Sequence, residues 1–314
     1  MRRGNRSRKG KLRELAEFIP AYAGFRVAEM LPLQAAHLVS RALGAAFYFL
    51  LPRRRRIALG NLRHVFAGAK TEREIRALAR QSCYSLVASL FETAKFLADL
   101  KRGSAEIRAA EAEVELLFRK AKELHLRARG CIFVTPHLGN WELLPYVAAR
   151  AGIPLVIVAR PLDNPRLEEL LYRYRTASGQ LVIPKTNSIF FLQRALRAGK
   201  SIGLLPDQST MKAISVDYLG RKATTTPVPA FLATLYQRPI VVVACCRKPG
   251  YFRYEGFVSD PIWPNPDGNE RAEIFRLTEE MNRSMGAIVE RYPEQYFWMH
   301  DRWKVYHTKP GLSL

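Results

Sequence analysis

A chain of 314 residues with 48% hydrophobic content suits one large domain or two small ones and can build an ordinary core; it has no low-complexity segment and no internal repeat, which sets aside disordered and solenoid classes. Its 50 Lys and Arg against 28 Asp and Glu give a net charge of +22. That balance calls for an anionic partner: nucleic acid, anionic lipid, an acidic protein or a phosphorylated substrate.

Residues 1–13 hold seven basic residues and no acid. They read as a solvated tail, or as a tail lying on an anionic membrane surface, where each basic residue contributes on the order of 1 kcal/mol. Residues 18–52 are mostly apolar and are followed by Arg53, Arg54, Arg55 and Arg56. The stretch is too long for a signal peptide and no small-residue cleavage site follows it. Pro32, His37 and Arg41 interrupt it. An Arg near the middle of a span costs roughly 2.5–3.5 kcal/mol. A helix lying in the membrane interface, with basic clusters at both ends, avoids that cost, so in-plane anchoring is expected ahead of a spanning helix or a buried soluble helix.

Residues 71–98 read as a helix. Thr71 and Glu74 make a capping box, and Ile75, Leu78, Ala79, Leu86, Leu90, Ala94 and Leu97 recur at helical spacing. A second helix is expected over about 105–127. Beyond it the pattern changes. Short apolar runs at 131–135, 155–159, 181–183, 202–205 and 240–245 alternate with helical stretches near 141–151, 165–177, 187–198 and 228–237. Residues 251–258 read as an edge strand, and a last helix covers about 270–291. Alternation of this kind predicts an α/β fold: a helical N-terminal region with a membrane-anchoring segment, then a mostly parallel central sheet covered by helices. Residues 1–56 are the basic tail and membrane-associating segment. Residues 57–128 are a helical region, and residues 129–314 are the α/β core, with which 57–128 form one compact unit.

In open α/β sheets, ligands sit at the carboxyl ends of the strands. Three such ends here carry charged groups: His137, Arg160 and Asp207. His137 also stands five residues before Glu142. On one continuous helix the two would point about 140° apart. A strand, a turn and then a helix would bring them together. Gly139 permits the turn, Asn140 suits the N-cap, and Glu142 suits the positive helix N-terminus. Spacing alone favours a loop histidine and a dipole-decorating glutamate; the strand-end position beside Arg160 and Asp207 reverses that. His300, Asp301 and Arg302, among Trp298 and Trp303, read as packing of the C-terminal segment. Lys185 reads as a solvated loop lysine.

There is no G-x-S-x-G elbow, no H-E-x-x-H, and no phosphate-binding or dinucleotide glycine fingerprint. Cys83, Cys131, Cys245 and Cys246 have no metal-ligand spacing, and Cys83 and Cys131 read as reduced core residues. No metal and no cofactor are expected.

His137-x-x-x-x-Glu142 after a strand resembles the histidine–four residues–acid box of the glycerolipid acyltransferase superfamily. The detail is similar to one branch, the lipid A biosynthesis (lauroyl/myristoyl) acyltransferases. ARPLDNPRLEELLYRYR (159–175), LLPDQ (204–208) and TTTPVPAFLA (224–233) resemble that family's later segments in order. RRRRIALGNL (53–62) and PEQYFWMHDRWK (293–304) resemble its flanking patterns. The resemblance implies an acyltransferase at the cytoplasmic face of the inner membrane. It would move a fatty acyl chain from acyl carrier protein to a hydroxyl of a phosphorylated glycolipid, a lipid A precursor. His137 would act as general base, oriented by Glu142, with no covalent intermediate. Arg160 and Arg175 would bind phosphate or stabilise oxyanion charge, and Asp207 would order the arginines or contact the acceptor. An acidic carrier protein, a phosphorylated acceptor and an anionic membrane surface would all suit the charge. A lysophospholipid or a mannosylated inositol lipid as acceptor, and coenzyme A as donor carrier, stay open. A nucleic-acid-binding protein is the reading from another class, but the sequence lacks a helix-turn-helix, zinc-finger or aromatic RNA-binding signature.

Overall fold

A computed structural model describes residues 8–304 apart from 103–115, 160, 177–179, 185–187, 212 and 250–252. The chain begins with three helices, α1 (Arg8–Met30), α2 (Leu33–Leu50) and α3 (Pro52–Val65). Each break falls at a proline. Pro32 is extended, with ψ 147°, and lacks the N–H that would continue α1; Pro52 opens α3 as its first residue. The α2–α3 pair bends by 93°. Among the described residues no single helix is long and apolar enough to cross a membrane, and only the bent pair together has that length and composition.

The expected capping box starts α4 (Glu72–Arg102). The Thr71 N–H donates to Glu74 Oε2 at 2.7 Å, and the Glu74 N–H donates to Thr71 Oγ1 at 3.3 Å. Helix α5 (Arg119–Ala128) ends at the left-handed pair Arg129–Gly130. The first part of the expected 105–127 helix lies outside the described residues, and its described part is broken by a turn at Phe118 between helical Leu117 and α5.

The rest is the α/β layer: β1 (Ile132–Val134), α6 (Leu144–Arg150), β2 (Leu155–Ala159), α7 (Pro165–Thr176), β3 (Leu181–Pro184), α8 (Ser188–Arg197) and β4 (Ser201–Leu204). Then come β5 (Ile214–Tyr218), β6 (Arg221–Thr225), α9 (Val228–Tyr236), β7 (Ile240–Arg247), β8 (Tyr254–Val258) and α10 (Glu270–Arg291). The sheet order is β3-β2-β4-β1-β7-β8, with every pairing parallel except the antiparallel edge strand β8. Its central strands β1 and β7 are buried on both faces, which is why they read as unbroken apolar runs. Ile132, Val134, Ile202, Ile240 and Val242 face one core; Phe133, Leu155, Ile157, Val241 and Val243 face the other.

The antiparallel hairpin β5–β6 has no counterpart in the sequence reading. Its turn, Leu219–Gly220, puts both residues at positive φ, 53° and 79°, and leucine gives no sign of such a turn.

Candidate active site

His137 and Asp207 meet because of sheet register. Strands β1 and β4 are neighbours, with Val134 opposite Leu204. Each functional side chain stands three residues beyond that pair, and the Thr135 N–H to Leu204 O bond of 3.1 Å keeps the two chains together past the strands. His137 Nδ1 lies 2.7 Å from Asp207 Oδ1, and the His137 backbone N–H donates to Asp207 Oδ2 at 2.8 Å. Asp207 is buried. Burial alone would raise its pKa, but the charge of His137, its two hydrogen bonds and the Arg302 guanidinium outweigh that and hold the carboxyl below its ordinary value. An ionised Asp207 on Nδ1 fixes the imidazole tautomer and leaves the Nε2 lone pair unprotonated. Gln208 Nε2 lies 3.3 Å from that nitrogen. The Trp141 and Phe297 rings lie 5.3 and 6.2 Å from the imidazole, centroid to centroid.

This geometry corrects one sequence expectation. The partner of the His137 imidazole is Asp207, not Glu142. Residues Trp141–Leu143 form a single 3-10 turn before α6, and the Glu142 carboxylate accepts two hydrogen bonds from Arg175, from Nε at 3.1 Å and from a terminal nitrogen at 2.8 Å. Asp207 was expected to order Arg160 and Arg175 or to contact the acceptor; its described hydrogen bonds are to His137. Arg160 lies outside the described residues, as does Lys185. Arg175 comes from the last turn of α7. Burial alone would lower its pKa, but Glu142 more than offsets this and raises it. A forked Arg–carboxylate pair of this kind holds both groups in one plane.

Asn140 is not a side-chain cap. It is fully buried, and with Gly139 it forms the clamp that holds the loop. Gly139 has φ 62°, and a Cβ there would stand 2.1 Å from the Cys245 carbonyl oxygen, so only glycine fits. Ser89 Oγ donates to the Gly139 carbonyl at 2.8 Å, and the Asn140 N–H donates to the Cys245 carbonyl at 2.8 Å. Thr93 Oγ1 donates to Asn140 Oδ1 at 3.1 Å, while Asn140 Nδ2 donates to Glu92 at 3.2 Å. Glu92 is itself paired with Arg247 at 2.7 Å and accepts from the Tyr254 hydroxyl at 3.0 Å. Sequence reasoning missed Glu92 and Arg247. They stand 155 residues apart, and no spacing rule joins a mid-helix glutamate to the end of a distant strand.

The C-terminal segment packs as expected and also backs the site. Arg302 is buried over the Tyr218 ring, 4.8 Å from its centroid, and donates to the Thr224 carbonyl and to Thr225 Oγ1, each at 2.6 Å. His300 Nε2 accepts the Ser209 N–H at 3.0 Å.

An apolar cavity adjoins His137 through Thr135 and Trp141. Phe118, Phe133, Leu144, Ile157 and Val243 are among its walls, and its empty space, mouth included, is about 570 Å³. Among the described residues no group of three or more His, Cys, Asp or Glu is placed to hold a metal ion. The four cysteines are free and buried. Burial pushes the thiols of Cys83, Cys131 and Cys246 up to about 12, and it raises Cys245 as well, so none is poised as a thiolate. The arrangement suits removal of a proton beside a site for an apolar chain.

A family model described as bacterial lipid A biosynthesis acyltransferase matches residues 7–305. The chain is 25% identical over 286 residues to the lipid A biosynthesis palmitoleoyltransferase of Escherichia coli, covering 89% of this chain and 87% of that protein. It is 25% identical over 288 residues to the lipid A biosynthesis lauroyltransferase of Escherichia coli, covering 89% and 88%. It is also 23% identical over 180 residues to the phosphatidylinositol mannoside acyltransferase of Mycolicibacterium smegmatis, covering 56% and 57%.

Proposed function

The chain belongs to the bacterial lipid A biosynthesis acyltransferase family, and from that premise we propose that it transfers a fatty acyl chain from acyl carrier protein to a hydroxyl of a phosphorylated glycolipid, with His137 as general base. The observation that carries this reading is the His137–Asp207 pair beside an apolar cavity. His137 Nε2 takes the proton of the acceptor hydroxyl as its oxygen attacks the thioester carbonyl. The tetrahedral intermediate collapses, the thiolate leaves, and the imidazolium returns the proton to it. Asp207 stabilises the imidazolium in between. The acyl chain lies in the cavity. Arg175, held by Glu142, presents its charge to the acceptor phosphate or to developing oxyanion charge. Arg160, which follows β2 in sequence, would serve the same end. Direct attack needs no protein nucleophile, in keeping with the raised thiols.

The reading places the enzyme at the cytoplasmic face of the inner membrane, held in plane by α1 to α3. Met30 and Leu50 are 72% and 75% exposed, with Ile19, Leu38 and Phe49 also facing outward. The exposed Arg53, Arg54 and Arg56 follow at the start of α3. Apolar side chains beside a basic cluster are what an interfacial helix presents to anionic lipid.

The test is transfer in vitro from acyl carrier protein and from coenzyme A to a panel of acceptors: phosphorylated glycolipid, lysophospholipid and mannosylated inositol lipid. Transfer to the phosphorylated glycolipid from the carrier protein supports the reading. Preference for another acceptor or for coenzyme A overturns that part of it.

A further inference from the structure

The carboxyl rim of the sheet, where His137 and Asp207 sit, also carries apolar side chains left exposed among the described residues. Phe190 and Phe191 are 63% and 44% exposed in the first turn of α8, the helix that follows β3. Their rings meet edge to face at 5.8 Å. Leu162, after β2, and Met211, after β4, are exposed too, the latter by 78%. Since β3, β2 and β4 are neighbours in the sheet, three adjacent strand ends lead into exposed apolar side chains. Single exposed apolar residues are ordinary; a grouped set on one rim marks an interaction surface.

We propose that this rim is a second bilayer contact, centred on Phe190 and Phe191, which seats the mouth of the site on an anionic lipid surface. The inference rests on the acyltransferase reading above and specifies how the lipid acceptor reaches His137. Two observations favour a bilayer as the occupant. Arg194 stands one turn beyond Phe190 on α8, and residues 188–200 include no acidic residue, so the charge on the helix beside the aromatic pair is positive, as in an interfacial helix. The rim is also continuous with the N-terminal apolar helices: Asn164, two residues after Leu162, donates to the Glu14 carbonyl of α1 at 2.9 Å. The first contact would hold the enzyme on the membrane. The second would turn the site towards it, so that the acceptor hydroxyl arrives from the lipid side.

The test compares the full chain with a Phe190→Ser, Phe191→Ser double variant for flotation with phosphatidylcholine vesicles, with and without phosphatidylglycerol. Neither residue belongs to the proposed catalytic machinery. The double variant should lose about tenfold or more in vesicle partition, as expected for two aromatic side chains withdrawn from an apolar phase. It should also transfer more slowly to a bilayer-embedded acceptor while keeping its rate on a detergent-dispersed one. Phe190→Trp supplies a readout that survives a folding defect in the double variant: its emission should shift to the blue on vesicles by more than that of the wild type. Unchanged partition of a folded double variant, or a Phe190→Trp emission indifferent to vesicles, overturns the proposal. Failure of the wild type to transfer to any acceptor would overturn the acyltransferase reading and leave the vesicle result standing.

Discussion

His137 Nδ1 lies 2.7 Å from Asp207 Oδ1, while the same aspartate's other oxygen accepts the His137 backbone N–H at 2.8 Å. One buried carboxylate thus fixes both the imidazole and the loop that carries it. Asp207→Asn should keep the fold yet offer the imidazole an amide in place of a charge. In the serine protease template the corresponding change costs about 10⁴ in kcat; a fall of roughly 10²–10⁴ with little change in KM is expected here. Glu142→Gln should instead act through Arg175, leaving the shape of the pH–rate profile unchanged while weakening the acceptor phosphate interaction, which a rise in KM would report.

The clamp on the loop predicts a stability effect. Glu92→Ala leaves the buried Arg247 guanidinium without its counter-charge, and removing one partner of a buried pair costs about 3–5 kcal/mol. Glu92→Ala combined with Arg247→Met should recover part of that loss. Denaturant unfolding of the two single variants and the double variant measures it, and strictly additive losses would contradict the pairing.

The apolar cavity predicts a change in chain-length preference. Ala148 lines it. Ala148→Phe should fill part of it, shifting transfer towards shorter acyl chains at a stability cost of about 1–3 kcal/mol for overpacking. Product mass spectrometry with a series of donors reads the shift directly; an unchanged preference would move the acyl chain elsewhere.

Histidines kept neutral by full or partial burial should weaken the fold in acid. Burial lowers the pKa of His125, whose Nδ1 lies 2.9 Å from Ser201 Oγ, and of His37 and His300. A depressed histidine pKa means that the unfolded chain binds protons first as pH falls below about 6.5, so stability is full above that value and is lost below it. The melting temperature should therefore fall between pH 7 and pH 5, and His125→Gln should flatten that fall.

The fold was legible where one local rule governs: the capping box at Thr71, the apolar runs of a sheet covered on both faces, and the helix starts at Pro165 and Val228. The positive-φ turn at Leu219 was not, because leucine carries no signal for it. Within the site, the strand-end rule brought out His137 and Asp207, and the family pattern brought out Arg175. Their pairing was not legible, because it depends on which strands are neighbours. The order β4-β1 puts Asp207 beside His137, though 70 residues separate them in sequence, and Glu142 turns to Arg175 instead. Proximity along the chain suggested a His137–Glu142 bond; sheet order decided otherwise.

The most direct test of the mechanism is acyl transfer from acyl carrier protein to a phosphorylated glycolipid by purified wild-type protein and His137→Ala, followed by mass spectrometry of the product. The account predicts a His137→Ala protein with the wild-type circular dichroism spectrum and a rate lower by at least about 10²-fold, the lower end of what a positioned general base supplies. A folded His137→Ala protein that transfers at close to the wild-type rate would contradict it.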